Sequence, residues 1–476
     1  MQDQTIPLPV LTLGEPAPGP TFGAKAYKPS RFNHFHTLPS GERLAYNSLS
    51  GGLAVLDQEG QARYAVLAKG VPPDLNNPVD KGLLEGHFLI PEAFDELAHL
   101  KTLHLRQRYA TDTWGLTICP TIDCNFGCDY CFQQHRASRM GEAVQAKLLE
   151  LFAQKAPRLT RFDVTWFGGE PTLAWDVVQS LSQGFIDIAE RNGVEYGASL
   201  ITNGYHLNEA KVADMLRYRI RLVQITLDGD APYHDGRRHL LTGEGSFERI
   251  LANLRLFLGQ AVFVHIRVNV DVRNREGVPA LLRRLAEEGL AHQENLRVYF
   301  APVTSTAPPS HGVKDFCFTR KDFASLEPEY FTLAESLGLA TLPYPSLQVG
   351  GCVAAQLEGF VVEPDGTLQK CWDTVGQPEF AVGNILEYDP LRFAENPVYQ
   401  RWMAWDPFSA ELACSRCTWL PACMGGCPLK VAFPEAMPEG KVELECTTFK
   451  WNWKRTFTLL AERAGEAEPA PRPCTS

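Results

Sequence analysis

A chain of 476 residues exceeds what one hydrophobic core can hold, so two to three domains are expected. A formal charge of −11 argues against a nucleic-acid grip, which needs a concentrated basic surface. No run approaches the ~18 apolar residues of a membrane span and the N-terminus MQDQTIPLPV has no signal-peptide core, so a cytoplasmic protein without a membrane partner is expected, in which 13 cysteines point to metal rather than disulfides.

In chain order, residues 1–20 are Pro-rich without period and read as a flexible leader. RFNHFHTLPSGERLAYNSLSGGLAVLDQEG follows as short strands turned at Ser40-Gly41 and Gly51-Gly52. PEAFDELAHLKTLHLRQRYA has the apolar spacing of a helix, which completes a small α+β module over 1–110. From Trp114 the pattern changes. GLTICP, RFDVTWFGG, YGASLITNG, LVQITLDG, VFVHIRVNVD and LRVYFAPV read as strands, separated by helices such as GEAVQAKLLELFAQKA, AWDVVQSLSQGFIDIAERN and SFERILANLRLFLGQ. That alternation implies an α/β fold with a parallel sheet covered by helices, and six repeats make an open, partial (β/α)6 barrel over 111–310. Functional residues then belong at the C-terminal ends of the strands. Residues 311–345 read as a helical connector, 346–450 as an irregular Cys-rich domain held by metal, and 451–476 as a helix end with a disordered tail. No internal repeat is visible.

The cysteines fall in two groups. Cys124, Cys128 and Cys131 lie in TIDCNFGCDYCF, directly after the first barrel strand. A structural zinc ion closes four ligands, and disulfides use cysteines in pairs. Three thiolates suit three irons of a cubane cluster and leave the fourth iron free to bind a substrate or cofactor. A zinc knuckle completed by His135 is the alternative. Cys352, Cys371, Cys414, Cys417, Cys423, Cys427 and Cys446 crowd the last quarter. There CSRCTWLPACMGGC fits neither helical nor strand period and reads as a loop around an inorganic centre. Cys119, inside the first strand, and Cys474, in the tail, need no role.

The CxxxCxxC spacing, with Tyr130 before the last cysteine, resembles the signature of radical S-adenosylmethionine (SAM) enzymes. The resemblance implies a [4Fe-4S] cluster on Cys124, Cys128 and Cys131, with SAM chelating the open iron through its amino and carboxylate groups. Reductive cleavage of SAM to a 5′-deoxyadenosyl radical, which abstracts hydrogen from substrate, is the implied chemistry. Gly168, Gly169 and Glu170 in WFGGEP match that family's GGE motif, where backbone carbonyls accept from the SAM ammonium group. ITNG (Thr202, Asn203), ITLDG (Thr226, Asp228) and RVNVD (Arg267, Asn269) end the following strands. Singly each reads as a strand-end cap. Together they resemble the family's SAM pocket, with Arg267 on the SAM carboxylate and Asn203 or Asn269 on ribose hydroxyls.

The C-terminal cysteines resemble the SPASM domain found behind some radical SAM barrels: Cys352, then Gly366 and Cys371, then the Cys414, Cys417, Cys423, Cys427 quartet, then Cys446. The resemblance implies two auxiliary [4Fe-4S] clusters, making three in all. Cys414, Cys417, Cys423 and Cys446 complete one. Cys352, Cys371 and Cys427 hold the other, whose fourth place is left to Cys317, a substrate thiolate, water or Glu358.

APVTS, KCWDTVGQPEFAVGNI and RFNHFHTLPSGERLAYNSLSGG further resemble SPASM maturases of ribosomally synthesised and post-translationally modified peptides (RiPPs), of the thioether-forming ranthipeptide or sactipeptide type. That implies a precursor peptide as substrate, a flavodoxin- or ferredoxin-type electron donor, and an N-terminal module that recognises the leader by strand addition. A domain that merely caps the barrel is the other reading of residues 21–110. The rival activity is sulfatase maturation to formylglycine, whose family places its base, an Asp, directly after the cysteine equivalent to Cys371. Here Trp372 stands there and Asp373, the candidate catalytic base, follows. From another class, a non-catalytic iron–sulfur carrier suits closed ligand sets, but not an incomplete one beside GGEP.

Overall fold

A computed structural model describes residues 26–350, 352–438 and 445–466. The leader read at 1–20 and residues 467–476, with Cys474, lie outside the described residues, and the helix Phe449–Glu466 takes in the first three residues of the tail read as disordered. The N-terminal module holds strands β1 (Tyr27–Pro29), β2 (Asn33–Thr37), β3 (Arg43–Asn47), β4 (Leu53–Leu56) and β5 (Leu89–Pro91). Strands β2, β3 and β4 form an antiparallel meander, while β1 pairs with β5. Gly41 (φ 88°) and Gly51 (φ 76°) make its turns, a conformation that favours glycine. Helices Gln58–Leu67, Pro78–Glu85 and Glu96–Arg108 begin at Asp57, Asn77 and Asp95, whose side chains accept amide hydrogens of their first turns. The sequence reading anticipated the third. Gln58–Leu67 lacks a continuous apolar stripe, so periodicity does not betray it.

The barrel follows as β6 (Thr113–Thr121), β7 (Arg161–Gly168), β8 (Glu195–Thr202), β9 (Ile220–Thr226), β10 (Phe263–Val270) and β11 (Leu296–Pro302), all parallel and side by side in chain order. Each predicted strand is present, with its ends shifted by a few residues. Alternation places Phe162, Val164 and Trp166 of β7, and Val264, Ile266 and Val268 of β10, in one buried core. Helix Trp175–Asn192 covers the sheet with Val178, Leu181, Phe185 and Ala189, spaced three and four apart, and stops at left-handed Gly193.

The expectation of an irregular region after 346 needs correcting. There β12 (Phe360–Val362), β13 (Thr367–Gln369) and β14 (Gly383–Asn384) extend the barrel sheet to nine strands, with β12 parallel to β6 and Phe360 opposite Leu116. Strands this short fall below what an alternation reading detects. Nor is 311–345 only a connector: helix Arg320–Ser336 lies on β11, helix Val278–Glu287 and the long helix Phe449–Glu466. The N-terminal module packs mainly on the C-terminal region, through Phe32, Leu49 and Leu100 against Leu420 and Met424, and through Tyr46 against Trp419 and Phe457. Among the described residues no helix is long and apolar enough to cross a membrane.

Candidate active site

The three-cysteine loop leaves β6 at the C-terminal mouth of the barrel, and the ends of the other strands brace it. Asn203, after β8, donates to Asn125 Oδ1 at 2.8 Å. Tyr130 donates its hydroxyl hydrogen to Asp228, after β9, and accepts from Arg238 at 2.8 Å and Asn269 at 3.2 Å. Arg273 pairs with Asp129 at 2.5 Å. The segment 237–241 pairs with the loop as a short ribbon, with Gly127 N donating to His239 O and Leu241 N to Asn125 O, both at 3.0 Å. His135 bonds Ile122 O through Nδ1 at 3.1 Å and sets Nε2 3.1 Å from Cys131 Sγ. Backbone geometry also explains the paired glycines. A Cβ on Gly168 would lie 2.1 Å from Thr121 O, and one on Gly169 2.1 Å from Asp123 O. Glycine here lets β7 close onto the base of the cysteine loop.

These elements enclose a cavity of about 330 Å³. One wall is the loop, with Cys124, Cys128, Tyr130 and Cys131. The floor is made by the strand ends: Gly168 and Gly169, Thr202 and Asn203, Thr226, Arg267 and Asn269, and Pro302. The opposite wall comes from the C-terminal region, with Trp372, Asp373 and Glu445. The volume is at the lower end of the ~300–1,000 Å³ of small-molecule sites. Glu170 and Asp228 are fully buried and do not line it. Glu170 accepts from Thr172 N at 3.0 Å, Thr202 Oγ1 and Asn203 N at 2.7 Å each, lacing β7 to β8. Asp228 accepts from Asn269 N at 3.0 Å besides Tyr130.

Burial raises the three loop thiols, Cys128 to about 11 even though the Arg238 cation opposes it. Loading a metal there must therefore displace protons. Asp373 is pushed up to about 6 by burial and then by Glu445, against the pull of Arg267 and Lys430. Burial works against ionised Glu445 too, but Arg320 at 2.8 Å and Lys430 at 2.9 Å hold its carboxyl below its ordinary value.

The C-terminal thiols assemble in two sets. Burial raises Cys371 well above its ordinary value, and the charges of Asp373, Cys352 and Cys427 add to it. Cys427 likewise responds to burial, then to Glu445, Asp373 and Cys352. In the other set, Cys446 and Cys417 raise both Cys414 and Cys423 beyond the effect of burial. No described cysteine is in a disulfide, and among the described residues no three His, Cys, Asp or Glu side chains converge on a single-ion site. Cys317 donates to Val313 O at 3.4 Å and lines an adjoining cavity of about 320 Å³, which shares Pro302, Arg320 and Glu445 with the first. Glu358 is engaged by Lys155 at 2.7 Å and Tyr388 at 3.0 Å. The carboxylates that act on Cys371 and Cys427 are Asp373 and Glu445.

Sequence reasoning missed Arg238, Arg320 and Glu445 on the cavity wall. Arg238 carries no spacing signal, because GRRH follows the short helix Ala231–Asp235 rather than the end of β9. Glu445 could have been noticed only as the neighbour of Cys446.

The comparisons with known proteins agree with this geometry. Residues 118–285 match the model of the Radical SAM superfamily. The cysteine-type anaerobic sulfatase-maturating enzyme of Clostridium novyi (strain NT) is 24% identical over 360 residues, 71% of this chain and 93% of that protein. The serine-type enzyme of Bacteroides thetaiotaomicron is 23% identical over 347 residues, 64% of this chain and 80% of that one. Among solved structures, anSMEcpe with bound AdoMet has a TM-score of 0.58 at 20% identity, covering 74% of this chain and 98% of that one. SuiB of Streptococcus suis, bound to precursor peptide SuiA, has a TM-score of 0.51 at 15% identity, covering 85% and 96%. At such identities the structural likeness is one of fold.

The segment that matches this superfamily contains the three-thiol loop and strands β7 to β10, whose ends form the mouth of the partial barrel. Residues 118–285 thus form a domain that matches the Radical SAM superfamily, whose members use SAM and a [4Fe-4S] cluster. Its residues fit that pair. Three unpaired thiols face the cavity, and Arg238 on the wall keeps a buried Nε with no partner, an orphaned donor suited to an anionic or carbonyl-bearing ligand.

Proposed function

We propose that this chain is a radical SAM peptide maturase that crosslinks a ribosomally synthesised precursor, forming a thioether from a peptide cysteine. The observation that carries the reading is the single cavity, about 330 Å³, walled on one side by the three-thiol loop and on the other by Trp372, Asp373 and Glu445 of the Cys-rich region. A substrate residue between those walls meets the SAM side and the C-terminal side together. When bound, SAM and its cluster supply a 5′-deoxyadenosyl radical that takes a hydrogen atom from a substrate carbon.

The chain's own residues do the remaining work. Cys124, Cys128 and Cys131 hold the cluster, while Tyr130, Asn203 and Asn269 keep the loop in place. Gly168 and Gly169 would offer backbone to the SAM ammonium group, Arg267 and Arg238 would serve its carboxylate, and Thr202 and Thr226, which line the same cavity, would serve the nucleoside. Asp373, raised to about 6, is mostly ionised at neutral pH and accepts the proton of the peptide thiol. Cys352, Cys371 and Cys427 would hold one auxiliary cluster beside it, an acceptor for the electron released as sulfur bonds to the substrate-carbon radical, and Cys414, Cys417, Cys423 and Cys446 would hold a second. The N-terminal module reads the leader by main-chain pairing at an edge of its three-stranded sheet. A flavodoxin- or ferredoxin-type protein delivers the electrons.

One observation favours a second reading, sulfatase maturation. Asp373 lines the cavity even though Trp372 stands directly after Cys371. The product separates the two. Reduced, reconstituted protein is given SAM and candidate precursor peptides that contain cysteine. A thioether leaves the peptide two hydrogens lighter, without its free thiol. An aldehyde trapped by a hydrazine reagent on a sulfatase peptide supports the rival, and absence of 5′-deoxyadenosine in every mixture rejects both.

A further inference from the structure

The loop between Cys414 and Trp419 is held by the N-terminal module, about 370 positions away in sequence. Arg31 donates to Ser415 O at 2.9 Å. Ser48 Oγ donates to Thr418 O at 2.5 Å, and His34 Nε2 meets the same carbonyl at 3.2 Å. Both carbonyls thus find their donors in a distant part of the chain rather than in secondary structure of their own.

The contact continues through the rings. His34 lies on Trp419 at 4.1 Å between centroids, and Tyr46 stacks on the same indole at 5.7 Å. Trp419, 4% exposed, has a second attachment: its backbone N–H points at Cys417 Sγ, 3.4 Å away. Below it, Phe32, Leu49 and Leu100 pack in one cluster with Cys414, Leu420 and Met424. The β2 strand carrying His34 is itself pinned, because Glu96 accepts from Ser30 Oγ at 2.5 Å and Arg31 N at 2.8 Å.

We infer that the N-terminal module is the outer wall of the Cys414, Cys417, Cys423, Cys446 centre, with Arg31, His34 and Ser48 as its positioning residues. The inference rests on the reading of those cysteines as cluster ligands. Hydrogen bonds to ligand sulfur and exclusion of water are what set the stability and potential of an iron–sulfur centre. His34 acts on the first of these: it fixes Thr418 and Trp419, and Trp419 supplies the N–H that faces Cys417 and covers that side of the site. Loading of the centre and docking of the β2–β3–β4 sheet are therefore one coupled equilibrium. A leader peptide bound to that sheet would act on a redox centre rather than on a free-standing handle.

The test uses full-length, anaerobically reconstituted protein. His34→Leu removes the donor and the ring contact, whereas His34→Gln keeps a donor. Losing a partner of this kind costs about 10–100-fold in metal affinity. A chelator should therefore strip about one third of the iron at least tenfold faster from His34→Leu, with His34→Gln in between. The midpoint potential of that centre should shift, while 5′-deoxyadenosine release stays within about twofold and shows the barrel intact. Unchanged iron loss and potential in the Arg31→Met/His34→Leu/Ser48→Ala protein overturn the inference. Cys417→Ala/Cys423→Ala is the second arm. If it keeps all its iron, the cluster assignment falls and the inference with it. If it loses about a third, backbone amides of Asn33–Thr37 should exchange about tenfold faster, and unaltered protection defeats the coupling while leaving the assignment standing.

Discussion

The barrel mouth and the Cys-rich C-terminal region hold their thiols by opposite means. At the mouth, Cys124, Cys128 and Cys131 sit on a loop whose supports come from the ends of strands that own a large apolar core. Around Cys414–Cys427 the chain forms only short turns and helices of four or five residues. Its polar groups and apolar side chains are completed by the N-terminal module. A strand-borne site is preorganised before any cofactor arrives. A loop-borne one depends on what is packed against it and on what it binds.

The largest effect expected from this contrast is separation of the two iron pools. Replacing Cys124, Cys128 and Cys131 together with Ala should abolish SAM cleavage and leave about two thirds of the iron, held by the C-terminal thiols. Iron and 5′-deoxyadenosine measured on one preparation decide the matter. Iron falling to zero would mean that the C-terminal region holds no cluster of its own.

A pair of glycine substitutions sharpens the comparison at lower amplitude. A Cβ on Gly169 meets Asp123 O at 2.1 Å and Ile122 O at 2.7 Å, both backbone atoms. Either the end of β7 or the cysteine loop must move, and a displacement of about 1 Å at a reacting site costs roughly 10²-fold in rate. Gly169→Ala should therefore lose about that much SAM cleavage with most iron retained. Gly426, at φ 77°, has the same problem in the C-terminal region, where its Cβ would meet Glu445 O at 2.4 Å. Gly426 adjoins Cys427, and Glu445 adjoins Cys446. Gly426→Ala should lower iron content while SAM cleavage falls no more than about twofold, because the supports of the barrel loop are untouched. If both variants lost SAM cleavage equally, the two regions would not be mechanically separate.

The same contrast explains what the sequence revealed. Alternating Phe162, Val164 and Trp166, or Val264, Ile266 and Val268, announce strands because each core position is local in period. The cysteine spacings are equally local, so both thiol groups were legible. Long-range completion was not. Arg238 reaches Tyr130 across 108 positions, and Arg31 reaches Ser415 across 384. Nothing in GRRH or SRFNH signals those partners. Glu170 and Asp228 stand at the strand ends where the motif reading placed them, yet both turn inward and brace neighbouring strands instead of facing the cavity. Motif position therefore locates residues around the cavity more readily than it gives the direction in which their side chains point.

The smallest effect tests the wall itself through pH. His34 is held at about 4, chiefly because burial disfavours its charged form, with the Thr418 carbonyl opposing. The rings around it, Tyr46, Trp419 and Trp453, offer no negative charge to stabilise an imidazolium. With the sheet undocked, the imidazole returns to the ordinary ~6.5 and binds a proton that the docked state refuses. Docking is thus unaffected above about pH 6.5, weakens as pH falls toward 4, and weakens no further below that. Each unit inside the window costs at most about 1.4 kcal/mol. Between pH 7 and 5.5 the opening population of β2 should rise by a factor approaching ten, read as hydrogen exchange at Asn33–Thr37 corrected for intrinsic rates. In His34→Gln that dependence should flatten, and strands of the barrel should show none of it. Equal pH sensitivity in wild type and His34→Gln would remove His34 from the wall and leave its apolar packing to hold the sheet alone.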